Sequence, residues 1–371
     1  MAEELNKNNF ILNHEKNSLI SKLDNYKLNK KNVKLLDYIS LVKILSSFLV
    51  ILKHTNENYW TFNEYWVSTN IMTAFCMCAV PLFSLCIGAT LLNFNERYNI
   101  KEYWKRRFMK IILPILGWNI INYFYRVYIL KNLKITTLNF ISLYNLYFNN
   151  SLYPIIYSLR IFLFGYMIIP LIAYVDKSNK MKIYFYCFLV LFINQSFIPY
   201  LIKCFLPNKI VWPYNYNTGY IIYIFIGYII HNYRINYIFK ILIYLSGVLG
   251  LLLRLIISHL LTMKNRMPDR TEINYVNLPI VIYSCSVFLF IKEYSTFFFK
   301  IINSNFINRV GALSMGPFFL HYMIIWSLPH LIDYNKYSFT YRFFGAFIIS
   351  LVCYIITFLI KKIPIIKYLT P

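Results

Sequence analysis

Acidic residues are scarce in this chain. Its 371 residues hold 14 Asp and Glu against 38 Lys and Arg, and charged residues make up only 14%. Water-soluble domains carry about 25% charged residues, so an ordinary globular protein is excluded. Glycine is sparse too, at 10 residues, and no internal repeat, GxxxG seam or Gly-rich phosphate loop is present. The seven cysteines are scattered, mostly in apolar segments, with no CxxC pair and no Cys/His ligand spacing. Neither a zinc site nor a disulfide framework is expected from that pattern, and no metal is assigned. Residues 1–36 are rich in Asn and Lys and lack an apolar core segment. They are expected to form a polar cytosolic tail rather than a cleaved signal peptide.

What the chain has in abundance is apolar surface: 58% hydrophobic and 20% aromatic residues, with a mean hydropathy of +0.50. Apolar runs long enough to cross a hydrocarbon core recur along nearly the whole length. The pattern predicts an all-α, polytopic membrane bundle of about ten transmembrane helices, near 37–53, 70–93, 108–130, 155–175, 182–199, 217–231, 237–258, 275–291, 310–328 and 341–360. The membrane domain would cover 37–362, followed by a short cytosolic tail, 363–371.

The formal net charge of +24 does not point to nucleic acid, because the basic residues lie mostly in alternate loops. Loop 54–69 has no Lys or Arg, whereas loop 94–107 carries Arg97, Lys101, Lys105, Arg106 and Arg107. Seven lysines precede the first span, and Lys361, Lys362 and Lys367 follow the last. The positive-inside rule then places both termini in the cytoplasm of a multi-pass cell-membrane protein, with the lipid bilayer as its first partner. The contrast fades in loop 259–274, which carries Lys264, Arg266 and Arg270 on the expected outer side.

Lys43 and His54 stand eleven residues apart in the first span, DYISLVKILSSFLVILKHTN. Eleven helical residues bring two side chains within about 20° of one face and about 16 Å apart along the axis. A lysine near the middle of a span costs about 2.5–3.5 kcal/mol on insertion scales. Lys43 either snorkels, pairs with an acid elsewhere in the bundle, or faces an anionic or carbonyl-bearing ligand. His54 either ends a helix at the interface or serves as a general base, taking a proton from a hydroxyl that attacks an acyl group. Glu57, three residues on, would lie beside the imidazole and fix its tautomer if the helix continues one turn.

A second cluster, Arg106, Arg107 and Lys110 in KEYWKRRFMKIILP, stands at helical spacing at the inner surface. It reads either as a positive-inside stop signal or as a clamp for the phosphates of a nucleotide-bearing cofactor. Arg160 and Arg254 are further basic residues within spans. Together these features suggest phosphates held at the inner face, an arm along the Lys43 face, and chemistry at His54. An acyl-CoA donor has that shape, and it needs Lys43 and His54 to share a protein-lined tunnel open toward the cytosol.

These residues also resemble the acyltransferase-3 family of integral membrane acyltransferases, and most resemble its surface-glycan O-acetyltransferase branch. KILSSFLVILKH matches that family's Arg, ten residues, His pattern, with Lys43 in the Arg place. VPLFSLCIGATLLN (Val80 to Asn93) matches its second helix. Arg107, Lys110, Ile111 and Pro114 match its RxxR-I-x-x-P run. Gly227 and Tyr228 match a GY pair, and Ser314, Gly316 and His321 match S-x-G-x-x-x-x-H. The matches run in order over about residues 37–325. Lysine replaces arginine at Lys43 and Lys110, and the family's HLWF motif is IIYS here, at Ile155 and Tyr157.

The resemblance implies transfer of an acyl group, most often acetyl, from cytosolic acetyl-CoA or another acyl-CoA as co-substrate. The acceptor would be a hydroxyl of a surface or lipid-linked glycan. It implies His54 as the catalytic residue and Lys43, Arg107 and Lys110 as donor contacts, with His321 a motif position. The competing expectation is a transporter or flippase of a glycan or lipid intermediate, which would show paired repeats and broken midplane helices. A glycan polymerase or ligase would need a larger outer loop than any present.

Overall fold

A computed structural model describes residues 37–56, 59, 61–131, 155–205, 220–269 and 274–370, with side chains from 162 onward in the helix that begins at 155. Among the described residues the chain is all-helical, with no strand. The helices are α1 (Asp37–Thr55), α2 (Trp66–Cys76), α3 (Ala79–Leu91), α4 (Ile100–Arg107), α5 (Leu113–Phe124), α6 (Ile155–Ala173) and α7 (Lys180–Leu191). They continue as α8 (Ile198–Phe205), α9 (Ile221–Asn232), α10 (Tyr237–Asn265), α11 (Leu278–Ile301), α12 (Ser304–Gly311), α13 (Met315–Leu331) and α14 (Ala346–Lys362).

Six of the described helical stretches are long and apolar enough to cross a membrane: α1, α2 with α3, α7 with α8, α10, α11, and α14 with the turn before it. A seventh is added if α12 and α13, bent by 59°, form one broken span. Helix also occupies the other expected positions. Residues 162–173 and α9 are shorter apolar helices, and 100–129 is continuously helical. The last described stretch, Ile366–Leu369, is a 3-10 turn folded back on α5, where Trp118 Nε1 donates to the Leu369 carbonyl at 2.8 Å.

Helix α10 shows which solvent the bundle is built for. Its buried positions are Gly247, Gly250, Arg254, Ser258 and Thr262. Its exposed positions include Leu242, Leu245, Leu249, Leu252, Ile256 and Leu260. A helix in water turns its leucines inward. Here the polar and small stripe faces the protein and the leucines face out, as in lipid. The helix runs to Asn265, beyond the expected 258, and ends at Arg266, whose φ of 53° is the left-handed stop of a helix.

Two arginines hold the C-terminal end of α1 against α2. Arg342 donates to Asn56 Oδ1 (3.2 Å), Thr69 Oγ1 (2.8 Å) and Ser68 Oγ (2.8 Å), while its carbonyl accepts from Thr55 Oγ1 (2.9 Å). Arg254 donates to the Asn70 carbonyl (2.9 Å) and to the Tyr59 hydroxyl (3.2 Å). Both side chains are buried, so the partners that satisfy them also fix the turn that follows His54.

The centre of the bundle is the crossing of α3 and α9. A Cβ at Gly88 would lie 1.9 Å from the Ile224 carbonyl oxygen, and one at Gly227 would lie 2.3 Å from that of Leu85. Two strings far apart in sequence, IGATLL and FIGYII, are therefore the two sides of one backbone contact. This packing sets the stretch of α3 from Phe83 to Leu91 beside α1 and α13 around a cavity.

Candidate active site

Sequence and backbone together explain how the basic residues between α4 and α5 are presented. Pro114 has no N–H to donate to the carbonyl of Lys110, so the α-helical ladder breaks there. Phe108–Ile112 relaxes into a π-turn, in which the Leu113 N–H reaches back to the Phe108 carbonyl. Such turns re-aim side chains and recur at functional sites. Lys110 and Ile111, on this turn, line the cavity.

The cavity has a volume of about 370 Å³. Four cations line it: Lys43 of α1, Arg107 of α4, Lys110 of the π-turn and Lys361 of α14. Among the described residues, no Asp or Glu lines it. Lys110 and Ala312 at its edge are exposed, so the charged end is the open one. Its deeper wall is apolar and aromatic, with Phe83, Ile87, Phe162, Met315 and Phe318.

Arg107 is held flat. Its guanidinium lies 5.6 Å from the ring centre of Tyr103 and 5.5 Å from that of Tyr166. Tyr103 in turn donates to the Tyr166 carbonyl at 2.8 Å. The Nε of Arg107 is buried without a hydrogen-bond partner among the described residues. An arginine set against two tyrosine rings, with no carboxylate partner among the described residues, suits an anionic ligand. Lys361 Nζ donates to the Ala312 carbonyl at 2.9 Å, which ties α14 to the start of α13.

Of the expected donor contacts, Lys43, Arg107 and Lys110 are thus brought together, and Arg106 is not. Arg106 donates to Glu102 at 2.8 Å, lies 4.7 Å over the Tyr98 ring and is exposed. Neighbouring helical residues diverge by about 100°, so Arg106 and Arg107 cannot both face the cavity. The i,i+4 spacing of Glu102 and Arg106 is the sequence signal that separates the two. Lys361 and Tyr166 were not singled out from the sequence, and nothing local marks them.

Toward the far end of α1, the His54 ring stacks on that of His321, with centroids 5.2 Å apart and an interplanar angle of 29°. His54 Nδ1 is 2.7 Å from the Tyr322 hydroxyl. His321 Nδ1 is 3.0 Å from the Pro317 carbonyl. A carbonyl only accepts, so His321 carries its proton on Nδ1, and its buried Nε2 is a lone pair with no partner among the described residues. When His54 Nδ1–H donates to the Tyr322 oxygen, His54 Nε2 is likewise left as a base. Tyr322 thus contacts His54 Nδ1, while Glu57 lies outside the described residues, as do the side chains of Ile155, Tyr157 and Arg160. Removing the hydroxyl, Tyr322→Phe, is expected to lower turnover about three- to tenfold through loss of one orienting hydrogen bond. Comparison of kcat at constant donor affinity checks this.

The cavity and the imidazole pair are neighbours, not one space. Neither His54 nor His321 is among the cavity's lining residues, but Phe318, which lines it, has its ring 6.3 Å from that of His321. The expected shared tunnel is thus found beside Lys43 and does not include His54.

Residues 36–359 match the family profile of an acyltransferase domain, that of the acyltransferase-3 group. No curated protein and no solved structure matches the chain.

Proposed function

The chain belongs to the acyltransferase-3 family, and on that premise we propose that it moves an acetyl group from cytosolic acetyl-CoA to a hydroxyl of a surface or lipid-linked glycan. The observation that carries the donor assignment is the cavity, which holds four cations and no carboxylate. A coenzyme A carries several phosphate charges at one end and a thin, weakly polar arm at the other. The charged mouth suits the first and the aromatic wall suits the second. From Lys43 to His54 the rise along α1 is about 16 Å, a span suited to an extended arm.

In this reading the acceptor hydroxyl loses its proton to His54 Nε2 as its oxygen attacks the thioester carbonyl. The tetrahedral intermediate then expels the sulfur, which takes the proton from the imidazolium and leaves as the free thiol of CoA. The acyl group ends as an oxygen ester. Tyr322 holds the ring, and Arg342 holds the turn after it through Thr55 and Asn56. Ten spans with both termini in the cytoplasm of the cell membrane complete the proposal. That topology puts the Arg107 end of the cavity inside and His54 toward the outer face.

Membranes given acetyl-CoA labelled in the acetyl group should accumulate base-labile label in a glycan or glycolipid. Absence of any such product would sink the acceptor class. Arg107→Gln is expected to raise KM for the donor about 10- to 100-fold, the cost of losing a charge-assisted contact. Arg106→Gln, one residue away, is expected to leave KM within about twofold, since exposed pairs contribute little. Lys43→Arg should retain or raise activity. Equal effects at positions 106 and 107 would remove the cavity from the donor's path.

A further inference from the structure

Phe83 and Phe318 both line the cavity, and both are buried. Their rings meet edge to face, with centroids 5.9 Å apart and an interplanar angle of 76°. Phe318 is also packed edge to face on Phe319, at 6.2 Å, and Phe319 stacks on Trp118 at 6.0 Å. Behind this pair stand the imidazoles: the Phe318 ring is 6.3 Å from that of His321, which stacks on His54. Phe318 and His321 are three residues apart on α13, a rise of about 4.5 Å. Phe318, with Phe83 against it, thus links the cationic cavity to the imidazole pair that holds the proposed base.

We infer that Phe83 and Phe318 determine which acyl groups the enzyme transfers, admitting a short acyl and excluding longer chains. The inference rests on the proposed donor site. A thioester arm lying along the cavity reaches the two rings with its acyl end. An acetyl group needs room for one methyl beyond the carbonyl, which a small tilt of either ring supplies. Each further methylene would have to displace a ring that is braced from behind. Packed aromatic layers resist such displacement because interiors are close-packed and hold few voids. Phe318 is braced by Phe319 and, through it, by Trp118, so the layer does not yield freely. In an apolar site one methylene of misfit changes selectivity about 10- to 200-fold.

The test compares acetyl-, butyryl- and octanoyl-CoA as donors for membranes carrying the wild type, Phe83→Ala, Phe318→Ala or Phe318→Leu. The wild type should favour acetyl. The alanine variants should raise the ratio of butyryl to acetyl transfer by about tenfold or more. Phe318→Leu, which keeps most of the volume and guards against misfolding, should shift the ratio in the same direction by less. An unchanged ratio in variants that still transfer acetyl overturns the inference. So does loss of transfer from every donor in all three variants while donor binding persists. Failure of the underlying donor reading looks different: the wild type itself would then neither bind nor use any of the three thioesters.

Discussion

Alanine at position 54 is expected to lower acyl transfer by at least about 10²-fold, the lower end of what a positioned general base supplies. The fold should survive it. His54 is half-buried, its ring contacts are with His321 and Tyr322, and Arg342 secures the turn beyond it independently. Donor affinity should be unaffected, because no atom of His54 lines the cavity. The variant should therefore bind acyl-CoA with wild-type affinity and fail to transfer from it. Full activity in His54→Ala would refute the base assignment. Loss of donor binding together with activity would mean that the two sites are more closely coupled than the cavity lining suggests.

The second large effect falls on folding. Gly88→Leu places a branched side chain where even a single carbon would stand 1.9 Å from the Ile224 carbonyl oxygen and 2.7 Å from its carbonyl carbon. Those are backbone atoms of α9, so no side-chain rotation relieves the clash. Overpacking of this kind costs about 1–3 kcal/mol, occasionally more. Here it separates the two helices that align the cavity wall. Gly88→Leu is expected to abolish accumulation of monodisperse protein in detergent, and Gly88→Ala to lower its melting temperature by several degrees. Gly227→Val, on the other side of the same contact, should behave alike. Normal yield and melting temperature in Gly88→Leu would show that α3 and α9 do not cross there.

The residues that were legible in the sequence are those whose meaning is local. The helical period alone puts Lys43 and His54 on one face of α1, and the structure turns that face toward α13, where Lys43 meets the cavity with Met315 and Phe318 and His54 meets His321. Helices stand at the places the apolar runs predicted. Their ends moved where polar or small residues line the protein side of a span, as in the second half of α10. The cavity's fourth cation was not legible. Lys361 reads as one more basic residue at the inner end of the last span until packing sets it opposite Lys43 and Lys110. The aromatic layer is equally non-local, since Phe83 and Phe318 come from strings more than two hundred residues apart. The glycine crossing escaped a search for GxxxG because each helix contributes one close-approach glycine, Gly88 or Gly227, instead of a repeated pair. Arg106 illustrates the opposite case. Its partner Glu102 was in plain view four residues earlier, and it turns the side chain away from the cavity.

In the proposed mechanism the thioester enters from the Lys110–Lys361 side, and the acyl group is passed at His54. Sealed membrane vesicles of both orientations, given acetyl-labelled acetyl-CoA from outside only, test it directly. Inside-out vesicles, which expose the cytosolic face, should form base-labile labelled ester, and right-side-out vesicles should not until they are permeabilised. Equal labelling in intact vesicles of both orientations, or labelling confined to the right-side-out population, would contradict the account.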